Sequence, residues 1–178
     1  LGAIPFGVLA GRARGVDIRA VGSGNSGATN VWRTLGPLAG TIVFVLDVAK
    51  GLAAPLIGKV LVGPHEYWPI ALCGLLAVLG HTFSCFLNFK GGKGIATGLG
   101  MAVGLMPIPA LLAFAVWGGV LLLTRMISAA SVAACFAAPT LALCFKAPTP
   151  FVVVITIIAS IAFLKHIPDL KRIAAETE

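Results

Sequence analysis

The sequence predicts an all-α integral membrane protein: a compact bundle of seven transmembrane helices forming a single domain over residues 1–178, N-terminus outside and C-terminus in the cytoplasm. Three observations carry that expectation. First, 58% of the residues are hydrophobic and only 11% are charged, whereas soluble domains carry about 25% charged residues because their surfaces need that polarity. Second, the apolar residues fall into long runs separated by polar or proline-bearing breaks. Third, the basic residues crowd into alternate breaks, as they do in loops on alternate sides of a bilayer. The net charge of +7 therefore points to a membrane surface or a bound anion. With one tyrosine and no basic stripe interleaved with aromatics, it does not point to nucleic acid.

The elements follow in order. The chain opens inside an apolar run, Leu1 to Gly11, too short for a bilayer that needs about 20 apolar residues. The first helix is therefore expected to begin before residue 1. Arg12 to Gly36 is the longest polar stretch. Leu38 to Val62 is apolar apart from Asp47, Lys50 and Lys59, and Tyr67 to Gly80 follows a break closed by Glu66. A glycine-rich stretch with His81, Lys90 and Lys93 leads into Ile95 to Thr124, which holds no charge. That span is too long for one helix. Met106-Pro107-Ile108-Pro109 divides it, because proline lacks an N–H and disfavours helix at the residue before it. Arg125 precedes Met126 to Phe145, Lys146 to Pro150 makes a turn, and Phe151 to Leu164 is the last run. The tail, Lys165 to Glu178, is polar, with Leu170, Ile173 and Ala174 at helical spacing. Abundant glycine and alanine let the helices approach closely.

Sorting the breaks by charge sets the orientation. One set holds Arg12, Arg14, Arg19, Arg33, Lys90, Lys93, Arg125, Lys165, Lys171 and Arg172, and the other only Lys59 and Lys146. The positive-inside rule places the first set in the cytoplasm. Three segments then share one face: Arg12–Gly36, the stretch His81–Gly100 and the tail.

Each segment carries groups suited to phosphate, and each has a plainer reading. In Gly22-Ser-Gly-Asn-Ser-Gly-Ala-Thr-Asn-Val-Trp-Arg33, Ser23, Asn25, Ser26, Thr29 and Asn30 are short polar groups on a glycine-flexible backbone. Arg33 can grip phosphate oxygens with parallel N–H groups. The alternative is a solvated loop with a helix N-cap at Thr29 or Asn30. Gly22, Gly24 and Gly27 also match a dinucleotide fingerprint, with Asp47 downstream, but that fingerprint needs a βαβ unit and none is present. In the glycine-rich stretch, Lys90 and Lys93 flank Gly91 and Gly92, and Gly94 opens an apolar run. Exposed backbone N–H groups, a helix N-terminus and two ammonium groups suit an anion. A basic membrane anchor would look similar. Asp47 and Lys50, three apart on one helical face, read as a structural ion pair. His81 reads as a base, a phosphate donor or a helix-end residue; position 86 is phenylalanine, so the carboxylate that orients a catalytic histidine five residues upstream is missing there. His166 stands at the start of the tail with Asp169 three residues on. Cys73, Cys85, Cys135 and Cys144 lack disulfide-scaffold or metal-ligand spacing. Asp17, Asp47 and Asp169 are too dispersed in sequence for a metal cluster, and no serine–histidine–acid arrangement stands out.

The glycine-rich motif ending at Arg33, then Asp47-Val-Ala-Lys50-Gly51, then Gly80-His81 through Phe89-Lys-Gly-Gly-Lys-Gly-Ile-Ala-Thr97, together resemble one family across nearly the whole chain. It is the bacterial acyl-phosphate-dependent glycerol-3-phosphate acyltransferases, the PlsY family. The resemblance implies a plasma-membrane enzyme with its site facing the cytoplasm, working without cofactor or metal. It transfers an acyl group from acyl phosphate to glycerol 3-phosphate, giving lysophosphatidic acid and phosphate. It further implies that Ser23, Arg33 and Lys93 hold or activate the substrates, supported by Gly22, Gly24, Asn25, Thr29, Asn30, His81, Lys90, Gly91, Gly92, Gly94 and Thr97. His166 matches the family's tail histidine. The family pattern there is basic, His, any residue, Glu, Asn; this chain has Pro168 and Asp169 in the last two places. Asp169 is counted with the substrate-binding positions; as a carboxylate it would repel a phosphate unless protonated or turned away, and it could instead orient His166. Two other functions fit the same residues: a transporter of a phosphate-bearing solute, or a related enzyme using an acyl thioester. The sequence sets no oligomeric state.

Overall fold

A computed structural model of the chain describes residues 1–176. The expected apolar side of the tail at Ile173 and Ala174 lies outside the described side chains. The described residues form eight α-helices: α1 Phe6–Arg12, α2 Ala28–Leu35, α3 Pro37–Val62, α4 Tyr67–Thr82, α5 Ile95–Leu105, α6 Pro107–Thr124, α7 Ile127–Cys144 and α8 Thr149–Glu176. Each of the seven apolar runs holds a helix, the first only from Phe6 onward. The additional helix, α2, arises within the polar stretch Arg12–Gly36, where the sequence offers a ligand loop or a loop leading to a helix N-cap. Its Ala28, Val31 and Leu35 fall three and four residues apart and pack against Val8, Ile18 and Val43, while Trp32 and Arg33 face outward. The tail is helical, as its spacing predicts, and it continues the last apolar run: α8 extends past Leu164 and through Pro168 to Glu176 as one helix.

Five segments are long and apolar enough to cross a membrane: Pro37–Val62, Tyr67–Leu87, Pro107–Thr124, Ile127–Cys144 and Thr149–Arg172. The second adds a single 3-10 turn, Cys85–Leu87, to α4. α5, at 11 residues, is shorter, and α1 has only seven. The protein is thus a multi-pass, all-helical membrane protein.

α3 organises the bundle. Its buried residues Gly40, Val43, Asp47, Lys50, Gly51, Ala54 and Gly58 recur three or four apart, which makes one continuous inward stripe. Small residues on that stripe bring α5 into backbone contact. A Cβ at Gly51 would lie 2.1 Å from the Thr97 carbonyl oxygen, and one at Gly100 only 1.9 Å from that of Val48. Lys59 donates to the Gly104 carbonyl at 2.7 Å, so a side chain of α3 satisfies a backbone acceptor near the end of α5. The main core lies where α4, α5 and α8 meet, around Ile70, Val78, Met101, Phe151, Val154 and Ile158.

The Asp47–Lys50 pair is structural in its surroundings as well as its spacing. Their side chains are 2% and 1% exposed and 2.6 Å apart. The Lys50 ammonium also donates to the Ile4 carbonyl at 2.8 Å and lies 2.9 Å from His81 Nδ1, above the Phe6 ring. One buried cation therefore joins the segment before α1 to α3 and α4. Lys50→Met should strand the Asp47 carboxylate and destabilise the fold by about 3–5 kcal/mol. Asp47→Asn combined with Lys50→Met should recover much of the loss. Thermal unfolding in detergent checks this, and a single variant as stable as the wild type would contradict it.

Candidate active site at the polar end of the bundle

The glycine-rich stretch doubles back over the end of α4. The Gly91 N–H donates to the Thr82 carbonyl at 3.1 Å and the Gly92 N–H to the His81 carbonyl at 3.2 Å. No side chain fits at either glycine: a Cβ would lie 2.0 Å from the His81 carbonyl oxygen at Gly91, and 2.2 Å from His81 Nε2 at Gly92. Gly94, at φ +85°, then sets the start of α5 without a side-chain cap. The first-turn N–H groups of α5 and their partial positive charge thus stand beside Lys93.

Three helices meet there. Lys93 Nζ forms an ion pair with Asp169 of α8, and Ser128 Oγ, at the start of α7, donates to the same carboxylate oxygen at 3.2 Å. Arg172 lies 4.0 Å from its other oxygen. His166 is buried, and its Nδ1 lies 2.8 Å from the Ala162 carbonyl. A carbonyl only accepts, so Nδ1 carries the hydrogen and Nε2 is left for another partner. Lys165 reaches the Thr82 carbonyl at 3.3 Å and covers the Phe83 ring.

The second group is the loop before α2, and its centre is Asn30. Its amide donates to the carbonyls of Ile18, Val21 and Asn25 at 2.9, 3.0 and 3.0 Å. Its Oδ1 accepts the Ser23 N–H at 2.9 Å. Asn25 Oδ1 accepts the Gly27 N–H. Gly22, at φ +61°, brings the backbone so close that a Cβ would lie 2.3 Å from Asn30 Oδ1. Ser23 and Arg33 are exposed, and among the described residues neither side chain has a hydrogen-bond partner. Arg19 is taken up by Asp17, whose carboxyl the guanidinium hydrogen bonds hold down to about 2. Lys90 is exposed on the loop before Gly91, and Thr29 is half-buried in the first turn of α2.

Several expectations change. Asn30 was expected among the substrate contacts, yet it is 1% exposed and its amide is used entirely within the loop. Thr97 is fully buried between α5 and α3, away from any surface. Neither Thr29 nor Asn30 is the N-cap of α2; Gly27 is, without a side-chain bond. Asp169 does not hydrogen-bond His166; its oxygens face Lys93, Ser128 and Arg172. The carboxylate missing five residues after His81 has a counterpart on α3, since Asp47 Oδ1 lies 3.6 Å from His81 Nδ1 with Lys50 between them. His81 therefore belongs to the buried network rather than capping carbonyls. The structure brings Lys93, Ser128, His166 and Asp169 together. Ser23 and Arg33 stand at the same end without a side-chain contact to them among the described residues. Ser128 and Lys165 were missed. A lone serine after a short break and the first residue of the tail carry no spacing that separates them from ordinary membrane-end residues.

Below this cluster lies an apolar cavity between α5, α6, α7 and α8. Gly94, Gly98, Phe114, Trp117, Ala138 and Ala162 are among its lining residues. Gly94 follows Lys93 directly, and Ala162 is the residue whose carbonyl holds His166. The cavity thus begins at the charged cluster.

A multi-pass bundle with a cationic cluster above an apolar cavity defines the chain as an integral membrane acyltransferase once its relatives are considered. Crystal structures of PlsY, an integral membrane glycerol 3-phosphate acyltransferase, superpose with TM-scores of 0.94 for a glycerol 3-phosphate form and 0.91 for a lysophosphatidic acid form. They share 38% and 37% identity with it, over 99% of this chain and 88% of theirs. Residues 1–176 match the glycerol-3-phosphate acyltransferase family profile, and the chain belongs to that family. It is 46% identical to the glycerol-3-phosphate acyltransferase of Geobacter metallireducens and 43% to that of Geotalea daltonii. Each match covers 100% of this chain and 91% of the relative.

Because Asn30 alone joins three carbonyls and one N–H, Asn30→Ala should cost about 1–3 kcal/mol through the buried groups it leaves unpaired. It should also speed proteolysis between Arg12 and Gly27. A cleavage rate equal to that of the wild type would show that the loop is held by other contacts.

Proposed function

We propose that this chain transfers a fatty acyl group from acyl phosphate to the 1-hydroxyl of glycerol 3-phosphate, giving lysophosphatidic acid and inorganic phosphate. The observation that carries the reading is the meeting of a cationic cluster and an apolar cavity at Gly94 and Ala162. An acyl phosphate has that same division, a charged head on an apolar chain. Its phosphate suits Lys93, Ser128 Oγ, His166 Nε2 and the N-terminus of α5, and its chain suits the cavity. Glycerol 3-phosphate, soluble in water, enters from the polar loop, where Ser23 Oγ and Arg33 grip its phosphate, with Gly24, Asn25 and Thr29 shaping the approach. Lys90 stands at the rim of the same face.

The donor is a mixed anhydride, so its carbonyl carbon is already electrophilic. The acceptor hydroxyl oxygen attacks it, the bond to the phosphate oxygen breaks, and the departing phosphate takes the hydroxyl proton. Positioning two phosphate-bearing molecules and stabilising the charge on the leaving group account for the rate. The cation-rich end of the bundle faces the cytoplasm of a bacterial plasma membrane by the positive-inside rule. α1 and α5 join the five long helices to make seven membrane elements in one domain.

Purified protein given glycerol 3-phosphate with acyl phosphate, acyl thioester or neither should form lysophosphatidic acid only with the first. Activity with the thioester alone would replace the donor, and no product from either would overturn the reading. Lys93→Ala should lower turnover by at least about a hundredfold while the protein stays monodisperse in detergent. Filling the cavity with Ala138→Phe should shift the preferred donor to shorter chains, read from turnover across a series of chain lengths. An unchanged preference would remove the cavity from donor binding.

A further inference from the structure

We propose that Asp169 is a built-in competitor of phosphate, a counter-anion that sets how tightly the site holds its phosphate-bearing ligands. The inference rests on the proposed phosphate site at Lys93. Four observations support it. The carboxylate takes the Lys93 ammonium and the Ser128 hydroxyl on one oxygen, and these are the donors that an oxygen of a phosphate would need. The pair is not sealed in the core: Lys93 and Asp169 side chains are 25% and 16% exposed, so an ion arriving from water can reach them. The carboxylate has no second duty toward the neighbouring histidine, because His166 Nδ1 is bonded to Ala162. Finally, Asp169 stands among cations, with Arg172 at 4.0 Å and Lys165 anchored to Thr82 nearby, so removing its charge leaves a more positive site.

A phosphate and the Asp169 carboxylate cannot share Lys93 without repulsion, so binding requires the carboxylate to give up its two donors. On departure of the phosphate the carboxylate takes them back. The ion pair therefore weakens the grip on substrate and product alike and favours release of inorganic phosphate. An amide at this position would keep the shape without the competing charge, and a methyl would remove both charge and hydrogen bonding.

Asp169→Asn and Asp169→Ala separate these effects. In detergent-solubilised protein, calorimetric titration with inorganic phosphate should show binding tightened roughly threefold to tenfold in both variants, the range expected of an accessible charge-assisted pair. The KM for acyl phosphate should fall by a similar factor and inhibition by inorganic phosphate should strengthen, with no rise in kcat. Unchanged or weaker phosphate binding in both variants overturns the proposal. So does tightening in the Asn variant alone, since the gain would then come from a new amide donor. A wild type that makes lysophosphatidic acid, with variants that bind phosphate no tighter, removes the Asp169 assignment only. Protein that neither binds phosphate nor consumes acyl phosphate removes the proposed function with it.

Discussion

The structure depends on where the Lys50 ammonium can be placed. A lysine in the middle of a long apolar helix is costly unless its charge is met inside the bundle. Here the Asp47 carboxylate, the Ile4 carbonyl and His81 Nδ1 surround it. Satisfying that one cation fixes the angle at which the chain before α1 crosses α3, and it fixes the end of α4. The glycine stretch leaves α4 from His81 and Thr82 and folds back onto their carbonyls, so the position of Lys93 follows from the position of His81. The buried network lies apart from the Lys93–Asp169 cluster, yet it holds one wall of that cluster in place.

The second constraint is the closeness of α3 and α5. α5 is too short to cross a bilayer by itself, and it is held by backbone contact at Gly51 and Gly100 rather than by long side chains. The contact of Thr97 with Gly51 sets the N-terminus of α5, and the lysine before it, level with the middle of α3 rather than with its end. Small residues at α5 and α8, Gly98 and Ala162 among them, also leave the space that becomes the apolar cavity. The same choice of small residues therefore brings the helices together and keeps room beside them.

Much of this was legible in the sequence, for reasons that differ by element. The seven apolar runs could be read because hydrophobic length and proline position are strong signals: Met106-Pro107-Ile108-Pro109 does separate α5 from α6. α2 is legible only as an alternative to a loop, because only Ala28, Val31 and Leu35 carry its apolar side within a stretch of glycine and short polar residues. Lys93 and His166, expected from motif and resemblance, do stand together at the end of the bundle, one paired with Asp169 and the other bonded to the Ala162 carbonyl. Asn30 and Thr97 could not be told from substrate contacts, because a polar residue within a motif looks the same whether it faces a ligand or holds the backbone. Nor does sequence distance show that Asp169 meets Lys93 and Ser128, which lie 76 and 41 residues away; that meeting is made only by packing α5, α7 and α8 together.

The division between the two proposed phosphate groups would let one site handle partners of opposite solubility. Ser23 and Arg33 belong to a loop held together by Asn30 and packed on α1 and α3. Lys93, Ser128 and His166 belong to the helix ends around the apolar cavity. A water-soluble acceptor is best met by the first group, which faces outward, and an amphiphilic donor by the second, whose floor is apolar. In the proposed reaction the product keeps the acceptor's phosphate and gains the donor's chain, so it would span both groups, while the released phosphate would belong to the second. The leaving group of that reaction is the species that must quit the Lys93 site by water, and Asp169 is the carboxylate that pairs with that lysine in the structure.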